Sequence, residues 1–497
     1  MNRKKNIYNI LVSIISQLVL LVLGIIVPRI ILTHYGSDTN GVTSTITQIF
    51  AYMALLEAGI GQSTRNALYP YLDNKNKNID KICEIFSISR RYYRKISVVY
   101  FLVVIALSFV LPLLLKSNLS YFTILGVVLF EGATGVVSFY FIQSWATLLA
   151  SDGKQYVVSN IDLISRLLCY IVKVVLAILG VNIVYIQFGY FLVSLIKFSI
   201  YYLYVKKKYT WIKPFKTSKG QKLKDRNSYI ITELAWTVFS STDLIVLSTI
   251  CSASLASVYS IYNMIYVALN GLLSAVFNSI SYNLGQMYHK NMEEYVKLHD
   301  AFNTFFMTLI TILMICSYVF TLSFVKIYTK GVYDVNYIYP KLPLFFCIVQ
   351  LLSWSRYVSG NLTGVAGFAK RISKISLVEA FLNVFFSLLF ASPYGIYGVI
   401  MATVLALPFK VFYCNYLSDK IIMKRSPINT IKIIGVNWTC FAVVVILVHN
   451  VSIQVNSFLE LLIKAGITFV IVVFGITGIN LLFNRQAFSS FIMIFRR

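Results

Sequence analysis

Residues 90–116 read RRYYRKISVVYFLVVIALSFVLPLLLK. Arg90, Arg91, Arg94 and Lys95 are followed by the uncharged run 96–115, which ends at Lys116. A bilayer core about 30 Å thick takes roughly 20 apolar residues in a helix, so 96–115 is one complete crossing with its cations gathered at one end. The pattern then recurs along the chain. Comparable apolar runs cover 7–32, 39–62, 119–149, 157–179, 183–205, 228–250 and 254–284. The series continues through 301–325, 339–363, 374–391, 395–417, 430–448 and 458–483, which makes fourteen spans in all. Composition agrees, with 58% hydrophobic and only 12% charged residues over 497 and a mean hydropathy of +0.75. The expected fold class is an all-α polytopic membrane protein, because no soluble core could bury so much apolar surface.

The 44 lysines and arginines are sorted by side. Only Lys116, Lys326, Lys330 and Lys341 fall in loops on one side. Seven lie within spans, and all the others fall on the opposite side, including Arg3, the 65–95 loop, Lys154, the 206–226 stretch, 370–374, 420–432 and Arg497. Basic loops resist translocation, which places both termini in the cytoplasm. The net charge of +26 is then a property of the inner face, where anionic membrane lipid attracts it, and does not call for a nucleic-acid partner. Arg3-Lys4-Lys5 before an apolar run resembles a signal peptide, but the run is too long and no small-residue cleavage site follows, so it reads as the first span. The seven cysteines are scattered without a CxxC pair, and His34, His289, His299 and His449 are equally dispersed. Neither a disulfide framework nor a metal site is indicated, and no cofactor is expected.

An internal duplication is also visible. Thr147–Lys154 reads TLLASDGK after the fourth span, and Asn361–Phe368 reads NLTGVAGF after the tenth. Matching Gly153 to Gly367, an offset of 214, also carries Ser159 onto Ser373, Ile161 onto Ile375 and Lys206 onto Lys420. Six spans separate the two turns, so the repeats are parallel. The expected organisation is a six-helix lobe over 1–205, a basic cytoplasmic linker over 206–227, a second six-helix lobe over 228–418, and two additional helices over 429–484. Parallel repeats of this kind recur in transporters. Catalytic signals are missing: there is no phosphate-binding glycine loop, and the longest outer loop, about 326–338, is too short to hold a polymerase acceptor. A transporter is expected rather than an enzyme.

Charges inside the spans describe the solute. Each costs roughly 2.5–3.5 kcal/mol at a helix centre on insertion scales, so each should face a cavity or a partner. The in-span cations are Arg29, Arg166, Lys173, Lys197, Arg356, Lys410 and Lys464. Asp162, Arg166, Cys169 and Lys173 lie four, three and four apart, one stripe of a helix; Asp162 is expected to pair with Arg166 and leave Lys173 freer. Glu460 with Lys464 reads as a local pair, and Glu379 with Lys410 as a pair on adjacent helices. Arg29 and Arg65, near span ends, can snorkel. Arg356 sits deep within its span, and Glu233, Trp236, Ser240 and Asp243 mark a polar face on the seventh helix.

Leu55-Leu56-Glu57-Ala58-Gly59-Ile60-Gly61 followed by Arg65 resembles the second-helix signature of the Wzx-type lipid-linked oligosaccharide flippases. These are polysaccharide transporters of the multidrug/oligosaccharidyl-lipid/polysaccharide (MOP) superfamily. Ser241-Thr242-Asp243 and Val258-Tyr259-Ser260 are similar to the family's seventh and eighth helices, and the Gly153-Lys154 turn fits. The resemblance implies transport of an undecaprenyl-diphosphate-linked glycan from the inner to the outer leaflet of the bacterial cytoplasmic membrane. That transport would serve O-antigen, capsule or exopolysaccharide synthesis, beside other polysaccharide-assembly membrane proteins. Arg29, Arg65, Arg166, Lys173, Lys197, Asp243 and Arg356 are the candidate substrate-binding residues, and Glu57 and Asp243 the candidate ion carriers. Alternating access by rocking of the two lobes is the expected mechanism. A cation-coupled drug antiporter of the same superfamily, a teichoic-acid or peptidoglycan-precursor flippase that differs only in cargo, and a polysaccharide polymerase are the alternatives.

Overall fold

A computed structural model describes residues 3–53, 60–72, 78–212, 238, 241–448 and 455–484. Glu57, Glu233, Trp236, Ser240 and most of the linker drawn at 206–227 lie outside these residues. Among the described residues every regular element is helical: α1 Arg3–Met53, α2 Ile60–Leu72, α3 Ile79–Leu114, α4 Tyr121–Ser151, α5 Gln155–Ile178, α6 Ile183–Lys208 and α7 Ser241–Cys251. They continue with α8 Ala253–Lys290, α9 Met292–Tyr328, α10 Leu342–Val365, α11 Ala369–Tyr416, α12 Ile428–Val448 and α13 Phe458–Phe483. The chain leaves helical geometry at Gly36 inside α1 and at Gly395 inside α11, so each of these helices is two spans joined at a tight bend. Among the described residues helix falls on each of the spans read from sequence, on the seventh only at 238 and from 241 onward. Eight of the helices, counted among the described residues, are long and apolar enough to cross a bilayer.

The chain divides into two compact units, Met1–Ser257 and Val258–Arg497. In the first, α4 packs against both α3 and α6, α5 lies between α6 and α1, and α2 closes against α3 and α4. In the second, α9 packs against α10, α12 and α13, and α10 against α11. In lipid, apolar burial gives little drive for helices to associate, so close packing of small residues has to supply it. Gly41 shows how close. A Cβ there would lie 1.7 Å from the backbone oxygen of Ala253 at the start of α8, and the Asn40 side chain beside it donates to Ser257 Oγ at 2.8 Å. Gly24, on the same helix, has nothing within 4 Å of its Cβ position. Gly41→Ala is therefore expected to push α1 off α8 and cut membrane abundance severely, because a carbonyl cannot rotate away as a side chain can. Gly24→Ala should be neutral or stabilising by about 0.5–1 kcal/mol. Quantitative blots of membrane fractions compare the two, and equal loss would refute the close-approach account.

The duplicated turns have the same hydrogen-bond pattern. Asp152, Gly153 and Lys154 donate their backbone N–H groups to Leu148, Ala150 and Leu149; 214 residues on, Ala366, Gly367 and Phe368 donate to Leu362, Gly364 and Thr363. Gly153 has φ +70° and Gly367 φ +82°, the left-handed turn that ends a helix and costs an L-residue about 1–2 kcal/mol. At both turns a glycine occupies the left-handed position.

The helices depart from the spans read from sequence at several places. The run 339–363 reads as one uninterrupted crossing, but α10 breaks into Leu342–Trp354 and Tyr357–Val365, with Ser355 and Arg356 at the joint. The ninth helix starts at Met292 and not at 301, because the Asn291 side chain caps it by accepting from Glu293 and Glu294 N–H.

Candidate functional site

In the second unit the break in α10 places a cation. Arg356 is 4% exposed and caps the second half of the helix, its carbonyl accepting from Gly360 N–H at 2.7 Å. Its Nη1 donates to Glu379 Oε1 on α11. Lys410 Nζ reaches the other oxygen of the same carboxylate at 3.1 Å. Glu379 is 2% exposed, so the buried Arg356 and the partly buried Lys410 share one buried carboxylate and the group keeps a positive surplus. Aromatic and amide groups frame it. Trp354 donates to Asn270 Oδ1 at 2.8 Å, and its ring centroid lies 4.0 Å from that of Tyr357. Asn415 Nδ2 donates to the Ser355 carbonyl. The sequence reading had Glu379 with Lys410 alone and Arg356 without a counter-charge; the carboxylate holds both.

Ser355 and Asn415 also line a groove of about 720 Å³ between the end of α11 and α12, whose other walls are mainly apolar and include Phe409, Phe412, Ile434 and Trp438.

In the first unit the stripe on α5 meets α6 and α4. Asp162 Oδ1 pairs with Lys197 of α6 at 2.7 Å, both partly exposed. This corrects the expected pairing within α5: Asp162 is taken by the neighbouring helix, and Arg166 is exposed. Lys173 lies 4.5 Å from the centroid of the Tyr190 ring, a cation–π contact in place of a carboxylate. Glu131 of α4 accepts from Gln187 Nε2 at 2.7 Å. Arg166, Cys169 and Lys173 lie on one stripe of α5. Asp162 is thus balanced by Lys197, and Lys173 is held by a ring. Glu131, Gln187 and Tyr190 were missed from sequence, although Glu131 is the sole charge in the span 119–149 and so carried a legible signal.

The remaining candidates lie apart from these groups. Arg29 and Arg65 are half-buried and each is already engaged. Asp243, on α7, is 7% exposed and also engaged. Next to it the Tyr52 hydroxyl sits 2.8 Å from Thr242 Oγ1 and donates to the Val238 carbonyl. Glu460 pairs with Lys464 at 2.6 Å on an exposed surface, the local pair read from sequence.

A further ion cluster in the second unit was not foreseen. Arg425, between α11 and α12, donates to both oxygens of Asp300 at 2.7 and 2.6 Å and to Asp419 Oδ1 at 2.8 Å. Burial acts to lower the pKa of its guanidinium, but the hydrogen bonds and charges of Asp300 and Asp419 more than offset that and raise it. Within the basic cytoplasmic stretch 420–432, Arg425 is turned inward onto these two acids.

No family model and no curated protein matches the chain. Solved structures do resemble it. Lipid II flippase MurJ, in an inward closed conformation, aligns with TM-score 0.66 and 14% identity over 96% of this chain and 99% of its own. An inward-facing multidrug-resistance MATE transporter of the MOP superfamily aligns with TM-score 0.61 and 14% identity over 85% and 95%. A MOP superfamily transporter from Pyrococcus furiosus, whose binding pocket is described as of reverse polarity, gives 0.57 and 12% over 85% and 97%. The chain shares the fold of these membrane transporters. At these identities the likeness is one of fold.

Proposed function

We propose that this MOP-fold chain is a flippase moving undecaprenyl-diphosphate-linked oligosaccharide repeat units from the inner to the outer leaflet of the bacterial cytoplasmic membrane by alternating access. The observation that carries the reading is the positive surplus held in the second unit, Arg356 and Lys410 on the single carboxylate of Glu379; the first unit holds Lys173 against a ring. Uncompensated charge within a membrane has to be offset by something, and an anionic headgroup is the complementary solute. Arginine and lysine hold phosphate oxygens by charge-assisted hydrogen bonds. A cation exporter would want the opposite sign. The inside-negative potential favours outward passage of a diphosphate, at about 2.3 kcal/mol per charge per 100 mV. The groove between α11 and α12 is apolar enough for a polyprenyl tail.

Purified protein in vesicles is expected to move a fluorescent undecaprenyl-diphosphate oligosaccharide across the bilayer and to restore surface polysaccharide in a flippase-deficient strain. Lys173→Ala, which removes a cation held by a ring, should slow flipping about tenfold or more, the loss of one charge-assisted contact, with membrane abundance unchanged. Export of a toxic organic cation without movement of the labelled lipid would assign the chain to the antiporters instead.

A further inference from the structure

Arg90, Arg91, Arg94 and Lys95, on which the sequence reading began, line a cavity of about 490 Å³ in the first unit, together with Tyr140 and Trp145 of α4. None of its described lining residues is acidic. At i, i+1, i+4 and i+5 the four cations share one face of α3, a spacing at which like charges repel and weaken an isolated helix. Two are fixed by rings. The Arg90 guanidinium carbon lies 6.0 Å from the Trp145 ring centroid and that of Arg94 lies 5.1 Å from Tyr140. Trp145 is itself held by the buried Phe86, ring centroids 4.4 Å apart. Guanidinium groups stacked on aromatic faces keep their N–H edges free for an anion.

The position along α3 identifies the anion. Immediately beyond Lys95 the helix becomes an apolar crossing, and Val98, Val99 and Leu102 are exposed on it. A ligand in the cavity thus has its charge beside the arginines and room for acyl chains along these side chains. Tyr and Trp at this depth are the usual residues of a membrane interface.

We propose that this cavity is a binding site for the phosphate headgroup of an anionic membrane phospholipid in the leaflet facing the basic side of the chain. The site is separate from the charged groups assigned to transport, and it stands whether or not the flippase reading does. Bound phosphate offsets the repulsion along α3 and fixes the first unit at one depth in the membrane.

Native mass spectrometry of the full-length protein in detergent, titrated with phosphatidylglycerol and separately with phosphatidylcholine, tests this without measuring transport. Phosphatidylglycerol is expected to be retained over phosphatidylcholine, and R90Q/R94Q is expected to weaken its binding about tenfold or more, the loss of charge-assisted contacts. R90K/R94K, which keeps charge but not the planar fork, should fall between. K207Q/K208Q, which removes the same charge from the exposed end of α6, should bind as the unaltered protein does. Equal loss in K207Q/K208Q, or no preference over phosphatidylcholine, overturns the proposal. Displacement of the lipid by inorganic phosphate, or by undecaprenyl diphosphate at lower concentration, overturns the phospholipid assignment and gives the cavity to that ligand.

Discussion

Glu379→Ala is expected to strip the protein from the membrane, while Arg356→Ala leaves its abundance nearly unchanged and abolishes flipping. The asymmetry follows from the count of charges. Glu379 is the one carboxylate between Arg356 and Lys410, and its side chain is 3% exposed. Removing it leaves the buried Arg356 and the partly buried Lys410 without the carboxylate they share. Breaking a buried pair by deleting one partner costs about 3–5 kcal/mol, a large part of the 5–15 kcal/mol that typically holds a domain together. Removing Arg356 instead leaves Lys410 and Glu379 as a neutral pair at 3.1 Å. The fold keeps its balance, but the surplus charge proposed to hold the diphosphate is gone. Glu379→Ala combined with Arg356→Ala should regain part of the lost abundance, since only Lys410 then needs solvation. Size-exclusion profiles and blots of membrane fractions read abundance, and flipping in vesicles reads transport. If both single variants accumulate equally, the shared-carboxylate account fails.

The parts legible in sequence were those set by the solvent. A bilayer demands about twenty apolar residues per helix, so the fourteen spans stood out. The turns at Gly153 and Gly367 announced themselves because left-handed backbone is tolerated best by glycine. Hydropathy sees only the apolar part of a helix. Hence α9 begins nine residues before its apolar run, on the cap of Asn291 and the acidic first turn of Glu293 and Glu294, and α3 begins at Ile79 although its crossing starts at 96. The joint at Ser355–Arg356 carries neither glycine nor proline, so nothing local marked it.

Single charges were visible too, but their partners were not. Asp162 has Arg166 one turn away, the pair that sequence spacing offers, yet it bonds Lys197, thirty-five positions along the chain. Which helix supplies the partner depends on packing that spacing alone does not encode. Arg425 was hidden for a related reason. It sits in a lysine-rich stretch whose other members suit an inner membrane surface, and only the placement of Asp300 and Asp419 separates it from them.

Arg425→Ala is expected to be among the most damaging single changes in the second unit. Arg425 uses all three nitrogens of its guanidinium: Nη1 and Nη2 on Asp300, Nε on Asp419. The Asp419 side chain is 0% exposed and that of Asp300 14%, so alanine leaves two carboxylates close together and poorly solvated. The cost is again about 3–5 kcal/mol, and it falls where α9, the end of α11 and the start of α12 are held together. Arg425→Lys keeps the charge but offers a compact ammonium where a planar fork spans two acids, so it should show an intermediate thermal transition in detergent. The combination Arg425→Ala with Asp419→Asn removes one of the stranded charges and should recover a substantial part of the loss, although each change alone destabilises. Such coupling between neighbours, of order 0.5–3 kcal/mol, is the signature of a shared ion cluster. Losses that simply add in the double variant would mean that Arg425 acts through packing and not through its charge.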